Sequence, residues 1–131
     1  MGNELFAGLP DDLAAFLRQH IPSLHQFEIL LLIYTDPPRV WTAKTIAQHL
    51  YLPPELVAER LADLSDRGLV QRTETDERAG QFESLLTHVS IVQRLARFYA
   101  ERRVTIISFI FAQPNETVRS FADAFKLRKE S

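Results

Sequence analysis

The sequence predicts a mainly helical domain that carries one small antiparallel β-hairpin. Apolar residues recur at helical spacing over most of the 131 residues. Residues that favour strands replace this period once, on both sides of a polar stretch at 76–80. Only 4 Gly and 7 Pro are present, and most of them fall where a helix has to begin or end. The length fits a single domain over 1–131, with a core at 22–87 and flanking helices at 1–21 and 88–131.

The composition excludes several classes of protein. The chain has no Cys, is 46% hydrophobic and 24% charged, and carries a net charge of −2. These values exclude a disulfide scaffold, thiolate catalysis, a cysteine-based zinc site and a strongly basic nucleic-acid-binding chain. No apolar run approaches the ~20 residues of a membrane-spanning helix, and the first residues carry no basic secretory signal. We therefore expect a cytoplasmic protein with no membrane partner.

The first two helices are predicted from the residues at their boundaries. Pro10, Asp11 and Asp12 are typical of a helix start, and the apolar positions that follow lie on one face as far as about His20. Pro22-Ser23 begins a second helix, whose apolar residues go nearly all the way round it. This second helix is expected to be central and buried. Asp36-Pro37-Pro38 ends it, because the residue before a proline avoids the helical region.

A pair of helices joined by a tight turn is predicted next. Thr42 is placed to cap a short helix at Ala43–Leu50, with Trp41 and Ile46 as a hydrophobic staple on either side. The break at 51–53 precedes Pro54, which suits the first position of another helix. Apolar residues recur at helical spacing along this helix, which ends at Gly68: Val57, Leu61 and Leu64.

The hairpin and a long helix follow. Residues 70–86 predict two short strands around the polar tip. From about His88 a long helical period returns, with steps that alternate between three and four residues as in a helix–helix seam: Val92, Leu95, Tyr99, Arg102, Ile106 and Phe109. Residues 104–111 are rich in β-branched and aromatic side chains and are also compatible with a strand. We favour one continued helix because the period is kept, and we expect a last helix at 116–129.

The order helix, helix, tight turn, helix, hairpin is the plan of a winged helix-turn-helix domain. The segment Ile46–Leu61 carries the small and apolar residues that frame bacterial helix-turn-helix motifs: Ala47, Leu50, Leu52, Val57 and Leu61. Residues 64–70 resemble the usual exit from the second helix to the wing. On these motifs, residues 22–103 resemble the MarR-type (multiple antibiotic resistance regulator) group. The resemblance implies a transcription regulator that binds operator DNA as a homodimer.

The resemblance also implies which residues face double-stranded DNA. They lie on the recognition helix, on the helix before it and in the wing: Thr42, Lys44, Pro54, Glu55, Ala58, Glu59, Arg72 and Arg78. Two of them are carboxylates, where Arg, Lys, Asn or Gln usually meet phosphates and bases. Pro53 also stands where a Ser or Thr usually caps the recognition helix. These departures favour a second hypothesis, a winged-helix protein-interaction module that has lost DNA binding and docks through the basic segment 91–131, which has a net charge of +4.

The outer helices carry more apolar surface than a small core absorbs, which favours a homodimer. The candidate interface combines the first helix with the last two: Leu13, Phe16, Leu95, Tyr99, Ile106, Phe109, Ile110, Phe121 and Phe125.

No motif supports catalysis. The four His have no partner at helical spacing, so no helical metal-binding face exists. The chain also lacks a glycine-rich phosphate loop and a nucleophile elbow. We expect no enzyme, no cofactor and no metal site.

Overall fold

A computed structural model of the chain describes residue 6 and residues 8–35, 41–73 and 81–113. These residues form six α-helices and three short strands, and a 3₁₀ turn at Leu86–His88 precedes the fifth helix. The elements in chain order are α1 (Asp11–His20), α2 (Leu24–Ile33), β1 (Trp41–Thr42), α3 (Ala43–Leu50), α4 (Pro54–Asp66), β2 (Val70–Thr73), β3 (Gln81–Ser84), α5 (Val89–Glu101) and α6 (Arg103–Ala112). No helix among the described residues has both the length and the apolar character needed to cross a bilayer.

The helix starts follow the expected chemistry. The Ser23 hydroxyl accepts a hydrogen bond of 3.2 Å from the Gln26 amide at the start of α2. Thr42 caps α3 and forms a reciprocal capping box with Thr45. Pro54 is the first residue of α4, where its missing N–H leaves no helical hydrogen bond unmade. The predicted boundaries of α1, α3 and α4 are therefore confirmed to within about two residues.

The turn between α3 and α4 depends on a left-handed residue. Tyr51 has φ 59° and ψ 46°, a conformation that glycine adopts at little cost and other residues rarely adopt. This backbone lets the Leu52 amide donate to the Ala47 carbonyl at 3.0 Å and close the end of α3. The Tyr51 side chain is 93% exposed, so packing contributes little to holding it there.

The sheet has three strands where the sequence predicted only a hairpin. The order is β1-β3-β2, and all the pairs are antiparallel. Phe82 on β3 lies opposite Trp41 on one side and Arg72 on the other. A strand of two residues leaves no alternation to recognise in the sequence, where Trp41 is identifiable only as part of a helix staple. The added strand joins the start of α3 to the hairpin.

The predicted long helix is wrong at one residue. Arg102 leaves the helical region with φ −135° and ψ 61°, which separates α5 from α6. The helical period places residue 102 on the inward face, where a charged guanidinium would be costly to bury. In the fold the Arg102 side chain is exposed, and its guanidinium packs directly against Gly8. Residues 104–111 are helical, so the preferred helix is confirmed there and the strand alternative is wrong.

The core is built around α2, as the apolar circumference predicted. Phe27, Ile29, Leu30 and Ile33 are fully buried, and the Phe27 ring meets Tyr99 of α5 edge to face at 5.1 Å. Burial of this kind supplies most of the stabilisation of a small helical domain.

One buried hydroxyl joins α2 to the hairpin. The Tyr34 hydroxyl donates to the Leu69 carbonyl at 2.6 Å and accepts from the Leu85 amide at 3.1 Å. Burial raises the pKa of Tyr34, so this hydroxyl keeps its proton at neutral pH. Leu69 precedes β2 and Leu85 follows β3, and both ends of the hairpin are therefore tied to the end of α2.

Candidate nucleic-acid interface

The outer face of α4 is exposed along its length. Its buried residues, Val57, Leu61 and Leu64, fall on one side of the helix. The opposite side carries exposed residues one turn apart: Pro54, Glu55, Ala58, Glu59, Ala62 and Asp66. We call this set the outer face of α4. Among its members only the three carboxylates are charged, so this surface is acidic.

The two arginines that follow the acids along α4 do not neutralise this face. Arg60 donates to the Gln26 side-chain oxygen at 3.2 Å, on the α2 side of the helix. Arg67, just after α4, pairs with Asp63 at 2.7 Å and donates to the Gln19 carbonyl at 3.3 Å. Both guanidinium groups therefore bind other residues of the same chain.

Gln26 is the centre of this polar network, and no motif in the sequence points to that role. Its side chain is fully buried, and its amide nitrogen donates to Asp63 at 2.6 Å. Its oxygen accepts from Arg60, so both ends of the buried amide are hydrogen-bonded. The partners lie 34 and 37 residues away along the chain, beyond the reach of any local pattern.

A cleft lies between α4 and the β2–β3 hairpin. Its volume is about 310 Å³, and its lining combines small apolar side chains with an acid and a base. Ala58 and Ala62 come from α4, Ala43 from α3, and Arg72 and Phe82 from the two hairpin strands. The exposed Arg72 side chain thus borders the same concave surface as the outer face of α4.

The other predicted DNA-facing residues are distributed unevenly. Lys44 is exposed in the first turn of α3. Thr42 is half-buried, and its hydroxyl accepts from the Thr45 amide at 3.1 Å, so it serves as a cap. Arg78 lies outside the described residues. The structure therefore brings five of the eight residues, the four on α4 and Arg72, to one surface, with Lys44 on the neighbouring helix.

The residues predicted for a dimer interface lie in the core of the chain itself. Seven of them are 9% exposed or less: Leu13, Phe16, Leu95, Tyr99, Ile106, Phe109 and Ile110. Their helices pack on α2 and on one another, so the chain itself buries these side chains. Phe121 and Phe125 lie outside the described residues. A contribution of these positions to a dimer interface stays a prediction.

Other apolar side chains do reach the surface. On α6, Val104 is 74% exposed and Phe111 is 71% exposed. Ile107 lies between them along the helix and is half-buried. These residues form the exposed apolar strip of α6.

Two histidines, His20 and His88, lie near the ring of Phe16. The Phe16 ring lies 5.0 Å from the His20 ring and 6.1 Å from the His88 ring. The His88 Nε2 atom is 3.1 Å from the Gly68 carbonyl, to which it donates. Burial, followed by the nearby His88 and Arg67, lowers the pKa of His20. Within the described ranges no cluster of three or more His, Asp or Glu is arranged to hold a metal ion.

Solved structures of similar fold include a transcription regulator and a protein in complex with DNA. MepR, a transcription regulator of the Staphylococcus aureus multidrug efflux pump MepA, is 19% identical with a TM-score of 0.55, over 90% of this chain and 84% of its own. ZitR of Lactococcus lactis, solved as a point mutant in complex with DNA, is 19% identical with a TM-score of 0.53, over 82% and 73%. No protein-family model and no curated protein sequence matches the chain significantly.

The chain has a winged-helix fold. In this winged helix, α3 and α4 are the helix-turn-helix, and α4 is its second helix. The β2–β3 hairpin is the wing, and β1 joins the wing to the start of α3. At these low identities the similarity concerns the fold, and the function has to be argued from the side chains of this chain.

Proposed function

We propose that the chain is a MarR-like transcription regulator, not an enzyme, and that it binds double-stranded DNA in the cytoplasm as a homodimer. The observation that carries this proposal is the exposed outer face of α4, which shares one concave surface with Arg72 of the wing. An α-helix fits the major groove of DNA, and an adjacent hairpin can reach the next groove. The ZitR structure with DNA supports the proposal, because that protein has the same fold.

The phosphate contacts would come from outside the acidic face. Lys44 on α3 and Arg72 on β2 are exposed cations, and Arg78 is a further candidate contact from the sequence. Pro53 offers no side-chain cap to α4, which leaves the first-turn amides of Glu55 and Leu56 to meet a phosphate. With so few cations on this surface, we expect modest affinity and a shallow salt dependence.

The dimer would form through the exposed apolar strip of α6, together with Phe121 and Phe125. Apolar side chains that are more than two-thirds exposed are costly to leave in water, and a second copy can cover them. A two-fold dimer would also place two recognition helices on successive half-sites of DNA.

A gel-shift titration tests DNA binding directly. The probe is a duplex from upstream of the gene that encodes the chain, titrated at a low and a moderate salt concentration. Arg72→Ala should weaken binding and reduce the slope of log affinity against log salt by about 1, because one phosphate contact is lost. Arg97→Ala is the matched control: it removes the same charge from an exposed position on α5. Equal effects of the two substitutions would contradict the proposed surface.

The acidic outer face of α4 favours the protein-interaction module as a second candidate. Glu55, Glu59 and Asp66 are exposed there, and they repel phosphates. No shift at low salt with any duplex would support this candidate and exclude DNA binding. A shift that ignores Arg72→Ala but disappears when Arg128 and Lys129 are changed to Glu would instead place the contact in the basic C-terminal segment.

A further inference from the structure

We propose that Glu55 and Glu59 are specificity-determining residues that each read a cytosine in the major groove. This inference rests on the proposed DNA binding and adds the chemistry of the preferred site. It starts from which side chains the outer face of α4 offers to a base. Pro54, Ala58 and Ala62 are exposed there but have no side-chain donor or acceptor. In the first two turns of α4, hydrogen bonding from this face is therefore left to the two carboxylates.

An ionised carboxylate only accepts hydrogen bonds, and this restricts its partners in the groove. Guanine presents two acceptors there and thymine presents a carbonyl oxygen, so both repel it. Adenine presents a donor beside the N7 acceptor, an arrangement that suits an amide better than a carboxylate. Cytosine presents its amino group as a donor, and acceptance from that group is the established pairing for Glu and Asp. The outer face of α4 therefore selects for cytosine and against guanine and thymine.

The spacing of the two carboxylates fixes the spacing of the bases. Glu55 and Glu59 are one helical turn apart, a rise of about 6 Å along the axis. Base pairs are stacked about 3.4 Å apart. A recognition helix can also cross the groove at an angle, and zinc-finger residues about one turn apart contact successive bases. The two cytosines are therefore expected one or two base pairs apart within one half-site.

The inward orientation of the arginines sharpens this selection. Because Arg60 and Arg67 bind Gln26, Asp63 and Gln19, they are not positioned to neutralise a carboxylate that faces the wrong base. Each mismatch leaves a desolvated carboxylate without a donor, and we expect roughly tenfold or greater loss of affinity per position. The carboxylates then contribute to specificity mainly by weakening the binding of other sequences. The contacts with the DNA phosphates supply the affinity.

Selection from a pool of randomised duplexes tests the inference with the full-length chain. The expected result is a half-site with cytosine at two positions one or two base pairs apart. Glu55→Gln should relax or shift the preference at one position, and Glu59→Gln should do so at the other, because an amide also donates and can pair with adenine. Glu101→Gln is the matched control, since it removes the same charge from an exposed site on α5 and should leave both preferences unchanged.

The outcomes separate this inference from the proposed function. Loss of one cytosine preference per substitution supports it, because relief of simple repulsion would raise the affinity for all sequences alike. Binding without any cytosine preference, with a uniform gain for both Glu variants, overturns the inference and leaves DNA binding intact. No binding to any duplex at low salt overturns both and leaves the protein-interaction module.

Discussion

Replacing Tyr51 by glycine should stabilise the chain. At φ 59° the left-handed conformation costs a non-glycine residue about 1–2 kcal/mol. Glycine removes that cost but adds about 0.5–1 kcal/mol of chain entropy to the unfolded state. Since the side chain is 93% exposed, little packing is lost. The free energy of unfolding should therefore rise by about 0.5–1 kcal/mol, which corresponds to a gain of roughly 2–5 °C in Tm.

Tyr51→Ala separates the backbone effect from the loss of the side chain. Alanine also removes the exposed ring, but it keeps a Cβ and with it the left-handed strain. Urea titrations followed by circular dichroism should give a higher midpoint for the glycine variant than for wild type or the alanine variant, with equal slopes. If glycine proves no more stable than alanine, strain at this turn is not what limits stability, and the reasoning fails.

Three further outcomes can be measured on purified variants. Lowering the pH from about 7.5 to about 5.5 should reduce the free energy of unfolding, because burial lowers the pKa of His20 and the unfolded chain takes up the proton first. In urea titrations His20→Gln should make the free energy of unfolding depend less on pH, and an unchanged pH dependence would contradict this reasoning. In analytical ultracentrifugation, Phe111→Asp should sediment as a folded monomer where the wild type sediments as a dimer. Ile106→Asp should prevent folding, because that side chain is fully buried. A Phe111→Asp variant that sediments like wild type would exclude α6 from the interface. Leu61→Ala should cost about 2–5 kcal/mol in the same titrations, and a cost below ~1 kcal/mol would mean that the α4 core relaxes around the cavity.

Local chemistry made much of the helical architecture predictable. The Pro10 and Pro54 positions, the Thr42 cap and the circumference of α2 each indicate an element through residues that lie next to one another in the chain. The same holds for the outer face of α4, whose exposure follows from the spacing of its buried residues. For the candidate site, the sequence pattern was therefore sufficient to place four of the residues predicted to face DNA on one exposed side of α4.

The rest depends on contacts between distant residues. A periodic apolar stripe shows that a helix face is covered, but not whether its own chain or a second copy covers it. In this fold the chain itself buries Ile106 and Phe109. The break at Arg102 is marked by neither Gly nor Pro. The exposed guanidinium of Arg102 lies against Gly8, more than ninety residues earlier in the chain, and no local pattern could indicate that contact. In the sequence Gln26 is only a polar residue in an apolar helix. Its role as a hydrogen-bond centre becomes visible only when α4 packs beside it.

The shared hydroxyl of Tyr34 has a mechanical consequence. One oxygen holds the strand that enters the wing and the strand that leaves it, at 2.6 Å and 3.1 Å. One side chain at the end of α2 is therefore hydrogen-bonded to both ends of the wing. A tilt of α2 within the helical body would carry both strands together and re-aim Arg72 without bending the hairpin. Tyr34→Phe keeps the ring in the core and removes both hydrogen bonds. The position of the wing should then follow a tilt of α2 less closely.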